Sequence, residues 1–368
     1  MKTSHRAHFS DSRCMRQLAD RSAALVVTSP PYPMIEMWDP LFAARHPAVR
    51  ATLDAADGLQ AFELMHAELD PVWREVHRIL IPGGFACINV GDAARTLGGS
   101  FMLYPNHARI LNALLALGFT PLPSIIWRKP TNAPNKFMGS GMLPAGAYVT
   151  LEHEHVLIAR KGGKREFAGD APKQLRRESA LFWEERNQWY SDVWLELRGS
   201  RQGLQRGAPR PRSGAYPFEL AYRLVQMFSV KGDTVVDPFL GTGTTLRAAA
   251  AGARNSVGYE IEPGFRTDVF SGLDDWAAAA NARVAERIDD HLRFVEECRG
   301  TGRALRHRNV PHGFPVVTGQ ERELRLELVE RVKPLEADLV EATYRPVAAV
   351  APDGGWGPPP SDGQLSLF

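Results

Sequence analysis

The sequence predicts an α/β fold: a doubly wound, mainly parallel sheet with a region inserted near its middle. Short β-rich apolar runs alternate with amphipathic helical stretches, the pattern of a parallel sheet covered on both faces. The alternation breaks between residues 128 and 214, where Gly, Pro, Arg and Trp dominate, and then resumes. With 368 residues, 44% hydrophobic and 23% charged, the chain can bury the core of one large domain with a smaller one attached.

Ala24-Leu25-Val26-Val27 reads as a buried strand running into the rigid turn Ser29-Pro30-Pro31. Gln60 to Leu80 then shows apolar residues at helical spacing (Phe62, Met65, Leu69, Val72, Val76), with Pro82-Gly83-Gly84 as its stop. Phe85 to Val90 is the next strand, Tyr104 to Leu117 a helix ending at Gly118, and Pro123 to Trp127 another strand. Inside the irregular region only His153 to Ala159 is strand-like. Order returns with helix Pro217 to Phe228, strand Thr234 to Val236, a glycine loop, helix Thr244 to Ala251 and strand Ser256 to Glu260. Asn281 to Cys298 reads as an amphipathic helix and Gln320 to Leu339 as a charged stretch without a clear period. After Ala348 the Pro- and Gly-rich composition predicts a flexible tail.

No run of about 18 apolar residues and no signal-like N-terminus is found, so a cytoplasmic protein without a membrane partner is expected. The three cysteines, Cys14, Cys87 and Cys298, are far apart and lack Cys-x-x-Cys spacing, which points to reduced structural thiols. Net charge is only +2, but between Arg160 and Arg212 there are 13 Lys and Arg against 7 Asp and Glu. Arg198, Arg201, Arg206, Arg210 and Arg212 lie in a stretch with no acid at all, which makes them candidates for phosphate contacts; a solvated loop has the same composition. Trp183, Trp189 and Trp194 fall in the same region, where at least two of them are expected to form a small satellite core.

Val235-Val236-Asp237-Pro238-Phe239-Leu240-Gly241-Thr242-Gly243-Thr244-Thr245 is a strand ending in an acid, a glycine turn and a helix, which brings backbone close to a ligand at the carboxyl edge of a parallel sheet. No lysine follows the glycines, which excludes a Walker loop, and Leu246 stands where a dinucleotide fingerprint needs its third glycine. The loop therefore suits a ligand without a pyrophosphate, such as S-adenosylmethionine. Glu260 follows Asp237 at the spacing of an acid that accepts ribose hydroxyls.

Thr28-Ser29-Pro30-Pro31-Tyr32 closes the first apolar strand. An exocyclic base amine is a poor nucleophile because its lone pair is delocalised into the ring. Acceptors for its protons, the Ser29 oxygen and the Pro30 carbonyl held by Pro31, would push the nitrogen toward tetrahedral geometry. Tyr32 is placed to stack on a base taken out of the duplex.

With these motifs the chain resembles the β group of DNA amino-methyltransferases, from about Phe9 to Glu262, with the catalytic Pro-Pro-Tyr loop before the target-recognition region and the cofactor loop after it. The resemblance implies S-adenosyl-L-methionine as cofactor and double-stranded DNA as substrate. It assigns Ser29, Pro30, Pro31 and Tyr32 to catalysis, and Asp237, Pro238, Phe239, Gly241, Gly243, Thr244 and Glu260 to the cofactor. Asp11, with Ser12, matches the segment against the adenine ring. Arg128 and Lys129, in Trp127-Arg128-Lys129-Pro130, match the lining of the base pocket, and His153 to Leu157 the strand after it. Residues 1–127 then form the catalytic half, 128–214 the target-recognition region with a core strand near 153–159, 215–300 the cofactor half, 301–347 an extension and 348–368 the tail. Serine in the catalytic loop favours N4 of cytosine, with N6 of adenine the alternative. More remote readings are an RNA or protein-amide methyltransferase and an inactive DNA-binding relative. A restriction–modification setting, with a cognate endonuclease acting on the same site, also follows from the resemblance.

A cytosine-C5 mechanism is excluded because none of the three cysteines follows a proline. No metal is expected: Glu152-His153-Glu154-His155 lacks His-Glu-x-x-His spacing, and alternate strand residues offer at most two ligands to one face. The chain closes on Gln364-Leu365-Ser366-Leu367-Phe368, which resembles the peptide by which bacterial proteins dock on the DNA sliding clamp through Gln364, Leu365, Leu367 and Phe368.

Overall fold

A computed structural model describes residues 1–129, 145–146, 148–197 and 216–349. The elements in chain order are β1 (Lys2–His8), β2 (Ala23–Thr28), α1 (Asp39–Arg45), α2 (Pro47–Asp54), α3 (Gly58–Ile79), β3 (Leu80–Val90), β4 (Ala93–Leu97), β5 (Ser100–Tyr104), α4 (Asn106–Ala116), β6 (Phe119–Arg128) and β7 (His153–Lys161). There follow α5 (Asp170–Glu178), α6 (Trp183–Trp189), β8 (Val193–Trp194), α7 (Phe218–Phe228), β9 (Thr234–Asp237), α8 (Thr244–Ala251), β10 (Asn255–Tyr259), α9 (Arg266–Phe270), α10 (Leu273–Gly300), β11 (His307–Arg308), β12 (Pro315–Val316), β13 (Glu327–Glu336) and β14 (Leu339–Pro346).

Ten strands form one sheet in the order β13-β14-β1-β10-β9-β2-β3-β7-β6-β8. Its centre, β1-β10-β9-β2-β3, is parallel throughout. β7 runs antiparallel between β3 and β6. β2 is buried at all six positions and reads as a continuous apolar run, as a central parallel strand must. One face is covered by α1 to α4, whose buried residues pack with Val26, Ile88 and Leu157. The other is covered by α7, α8 and α10 over Leu25, Val27 and Val235. From β9 the chain turns back toward β10 on one side, whereas from β2 it runs on to β3 on the other. The crevice between these diverging connections is where an open α/β sheet binds ligands.

The expected elements are present, with differences that have physical causes. α3 ends at Ile79, but Pro82-Gly83-Gly84 lies within β3; Gly83, at φ 80°, and a register shift opposite Ala23–Leu25 absorb the irregularity. β1 has no strong hydrophobic signature: its inward residues are Thr3, His5 and Ala7, and polar pairing supports the burial. His5 lies between Thr3 Oγ1 and Ser256 Oγ, each 2.8 Å away. The charged stretch 320–339 contributes β13, which pairs antiparallel with β14, itself antiparallel to β1, and so extends the sheet.

Trp189 and Trp194 do not build a satellite core. Both are fully buried in the main core, because β8 joins the sheet beside β6 and carries Trp194 inward; Trp194 Nε1 donates to Trp189 O at 3.1 Å. Among the described residues no helix is long and apolar enough to cross a membrane.

Candidate active site

β2 and β9 deliver the two motifs side by side. Thr28, the last residue of β2, donates from Oγ1 to Asp237 Oδ1 at 2.6 Å, which joins the Pro-Pro-Tyr loop to the glycine loop. The same buried carboxylate accepts from the Phe239 amide at 3.0 Å, Thr245 Oγ1 at 2.5 Å and the Tyr216 hydroxyl at 3.2 Å. Burial pushes the Asp237 carboxyl upward against these four donors. Asp237 borders the cleft, is 2% exposed, and links the two loops through these bonds.

Glu260, just past β10, is also nearly buried. It accepts from the amides of Gly241 at 2.8 Å and Glu262 at 2.9 Å. Gly241 adopts φ 55°, a conformation glycine allows without strain, and a Cβ there would meet nothing within 4 Å, so the turn is open on its ligand side. Pro238, Phe239, Gly241, Thr244 and Glu260 line one cleft with Ile261, Phe265 and Asp11. Gly243 does not border it; its φ of 84° starts α8 from behind. Asp11 does border the cleft, but its carboxylate is held by Arg13 at 2.8 Å and Arg45 at 3.2 Å. Burial alone would raise its pKa; the Arg13 hydrogen bonds and the Arg45 charge outweigh that and lower it. Apolar walls, a pre-set carboxylate and a glycine turn that no Walker lysine follows fit an adenosyl group carrying a sulfonium.

Ser29, Pro30, Pro31 and Tyr32 line the other end of the same cleft. Ser29 Oγ is 2.9 Å from the Tyr32 hydroxyl. Tyr32 also meets Asn89 Nδ2 at 2.9 Å and Glu154 Oε2 at 3.1 Å. Gly91 makes room for the ring, since a Cβ there would stand 3.1 Å from Tyr32 Cε2. Burial and then the Glu154 charge raise the phenol pKa well above its ordinary value, so it keeps its proton.

Lys129 pairs with Glu154 at 2.7 Å, which links it to Tyr32, and Arg128 pairs with Glu152 at 3.3 Å; neither expected DNA-contact residue lines the cleft itself. The arginines at 198, 201, 206, 210 and 212 and the terminal peptide 364–368 lie outside the described residues. The residues flanking the arginine run sit at the same sheet edge, since Leu197 O accepts from Trp127 Nε1 at 2.8 Å and Tyr216 reaches Asp237.

Spacing did not reveal a cluster beside the site, in which ligand-type atoms of Asp92, His107 and His155 lie within 4.8 Å of one another. The two imidazoles stack with centroids 4.0 Å apart, and His107 Nδ1 is committed to Asp92 at 2.7 Å, so this is a hydrogen-bonded stack and not a set of lone pairs converging on one point. Sequence reasoning also passed over Tyr216 and Asn89. For Asn89 the signal was present: a lone amide in the apolar run Phe85 to Val90 must find partners.

A sheet with its cleft at the switch point, a Pro-Pro-Tyr loop with Ser29 and Tyr32 lining that cleft and a glycine turn beside it fit a methyltransferase. Residues 23–270 match the DNA methylase family of N6/N4 methyltransferases, and the chain belongs to it. It is 49% identical over 94% of its length to the type II methyltransferase M.MthZI of Methanothermobacter thermautotrophicus, covering 97% of that protein. To M.MjaI of Methanocaldococcus jannaschii it is 48% identical, over 71% of this chain and 88% of the relative. A similar solved structure is that of a Thermus thermophilus protein assigned as a DNA modification methylase, in complex with S-adenosyl-L-methionine. It is 33% identical with a TM-score of 0.57, over 75% of this chain and 96% of the other. The protein is thus an S-adenosylmethionine-dependent DNA methyltransferase.

Proposed function

We propose that the protein methylates N4 of a cytosine flipped out of double-stranded DNA at a specific site. The observation that carries the reading is Ser29, the serine form of the catalytic loop, lining the cleft beside Tyr32. Ser29 Oγ and the Pro30 carbonyl accept the amine protons, Tyr32 stacks on the flipped base, and Glu260 receives the ribose hydroxyls. The bound cofactor supplies a methyl group on a sulfonium, open to direct displacement by the amine with no covalent enzyme intermediate. Residues 128–214 act in target recognition, with Arg128, Lys129 and the arginines from Arg198 to Arg212 on DNA phosphates. The type II names of the relatives support a restriction–modification setting with a cognate endonuclease.

Sequencing DNA from cells expressing the protein, by a method that separates N4-methylcytosine from N6-methyladenine, tests the base assignment. N4-methylcytosine at one short motif is expected; N6-methyladenine there overturns it. The terminal peptide makes a separate proposal, docking on the sliding clamp, by which the tether would raise the local enzyme concentration on new DNA. A peptide spanning Ser361 to Phe368 is expected to bind purified clamp, and a Leu367→Ala/Phe368→Ala peptide is expected not to. Equal binding by the two removes this partner.

A further inference from the structure

We propose that Glu154 is a positioning residue that sets the direction of the Ser29 hydroxyl through Tyr32, and so presents the lone pairs of Ser29 to the target amine. The inference rests on the catalytic loop described above and holds for either amine.

The argument is a count of protons. The Tyr32 oxygen has one proton to give and can accept two, and it has three partners: Ser29 Oγ at 2.9 Å, Asn89 Nδ2 at 2.9 Å and Glu154 Oε2 at 3.1 Å. Glu154 holds Lys129 on its other oxygen at 2.7 Å, an ion pair that requires the carboxylate, and a carboxylate only accepts. The Tyr32 proton therefore goes to Glu154. Asn89 can only donate through Nδ2, and it sends one N–H to Tyr32 and the other to Glu154 at 2.7 Å. Turning this amide over would set its oxygen against the carboxylate, so the orientation is fixed even though it leaves Asn89 Oδ1 buried without a partner. One place remains on the Tyr32 oxygen, and the Ser29 proton fills it. With its only proton turned toward Tyr32, Ser29 Oγ faces the cleft as a pure acceptor, which is what an amine N–H requires. Without the carboxylate, Tyr32 is free to donate to Ser29 and block that lone pair.

Glu154 sits on β7 and Asn89 on β3, adjacent antiparallel strands, so the device is built into the sheet and not into a loop. The burial of the Tyr32 hydroxyl keeps its proton in place.

The test is a double-mutant cycle on the full-length enzyme, with unmethylated plasmid DNA and radiolabelled S-adenosylmethionine. Glu154→Gln is expected to lower kcat at least tenfold while leaving KM for DNA and the cofactor Kd within about twofold. In a Tyr32→Phe background, where the hydroxyl that transmits the effect is gone, Glu154→Gln is expected to cause less than a twofold further change. If the two losses multiply, or if Glu154→Gln leaves kcat intact, the relay is overturned. If Glu154→Gln does not fold, Glu154→Ala, which also removes the carboxylate, takes its place: its kcat loss is expected in the parent enzyme and absent in Tyr32→Phe, and a loss of equal size in both refutes the proposal. Sequencing the methylated product separates this outcome from an error in the base assignment, because the cycle reads the same for cytosine and adenine.

Discussion

Ser29 and Tyr32 are three residues apart on a turn whose two prolines leave the backbone little freedom, and their hydroxyl oxygens stay within hydrogen-bond distance. In the proposed mechanism their contribution lies in that preorganisation. Ser29→Ala and Tyr32→Ala should each lower turnover by about 10² to 10³, the usual cost of removing one preorganised polar partner. Cofactor affinity should stay close to that of the parent, because Glu260 and the glycine turn are untouched. Single-turnover methyl transfer and calorimetry check the two halves of this expectation, and near-normal turnover by both variants would remove Ser29 and Tyr32 from the mechanism.

At the scale of elements, α6, α7 and α10 are tied by a buried ion pair. Arg287 on α10 meets both oxygens of Glu185 on α6, at 2.5 and 2.8 Å, and donates to the Tyr222 hydroxyl on α7 at 3.2 Å. Glu185 also accepts from the Phe182 amide and so caps α6. Both charges are more than nine-tenths buried, so removing one strands the other. Glu185→Leu should cost about 3–5 kcal/mol, and Glu185→Leu with Arg287→Met markedly less, since the second change removes the stranded charge. Urea unfolding of the two variants decides it; an equal or larger loss in the double variant would show that the capping bond, not the charge, carries the effect.

For the whole molecule, the edge of the sheet rests on an uncharged histidine. His5 is fully buried between β10 and α10, and desolvation lowers its pKa from 6.5 to about 3. The folded state therefore holds a neutral ring, while the unfolded chain takes up a proton near 6.5. The stability this contributes is complete above about pH 6.5 and is lost as pH falls toward 3. His5→Gln should flatten the fall of unfolding free energy between pH 6 and 4 by up to about 1.4 kcal/mol per pH unit, the value for one proton. Denaturant titrations across that range check it, and an unchanged slope would mean that the ring is protonated in the fold.

The central sheet and the Pro-Pro-Tyr and glycine-loop motifs that line its cleft were legible in the sequence because they depend on local signals: apolar runs such as Ala24 to Val27, the Ser-Pro-Pro-Tyr turn and the glycine loop after Asp237. Period, turn chemistry and residue order suffice for these, and with them come the cleft and the kind of chemistry it performs. The strands at the sheet's far edge were not legible. β1 buries Thr3 and His5 through partners on β10 and β14 that are distant in sequence, and Trp194 enters the core only because β8 finds β6. The same limit applies inside the site. Asp237 was readable as a loop acid, but its four donors come from three separate segments, and only folding reveals that it ties the two loops together. Glu154 read as one member of a His-Glu string, and its contact with Tyr32, 122 positions away, is what the proposed relay rests on. Local sequence thus determined which groups are available, and the pairing of strands far apart in the chain decided which of them share a hydrogen bond, because that geometry depends on contacts no short segment contains.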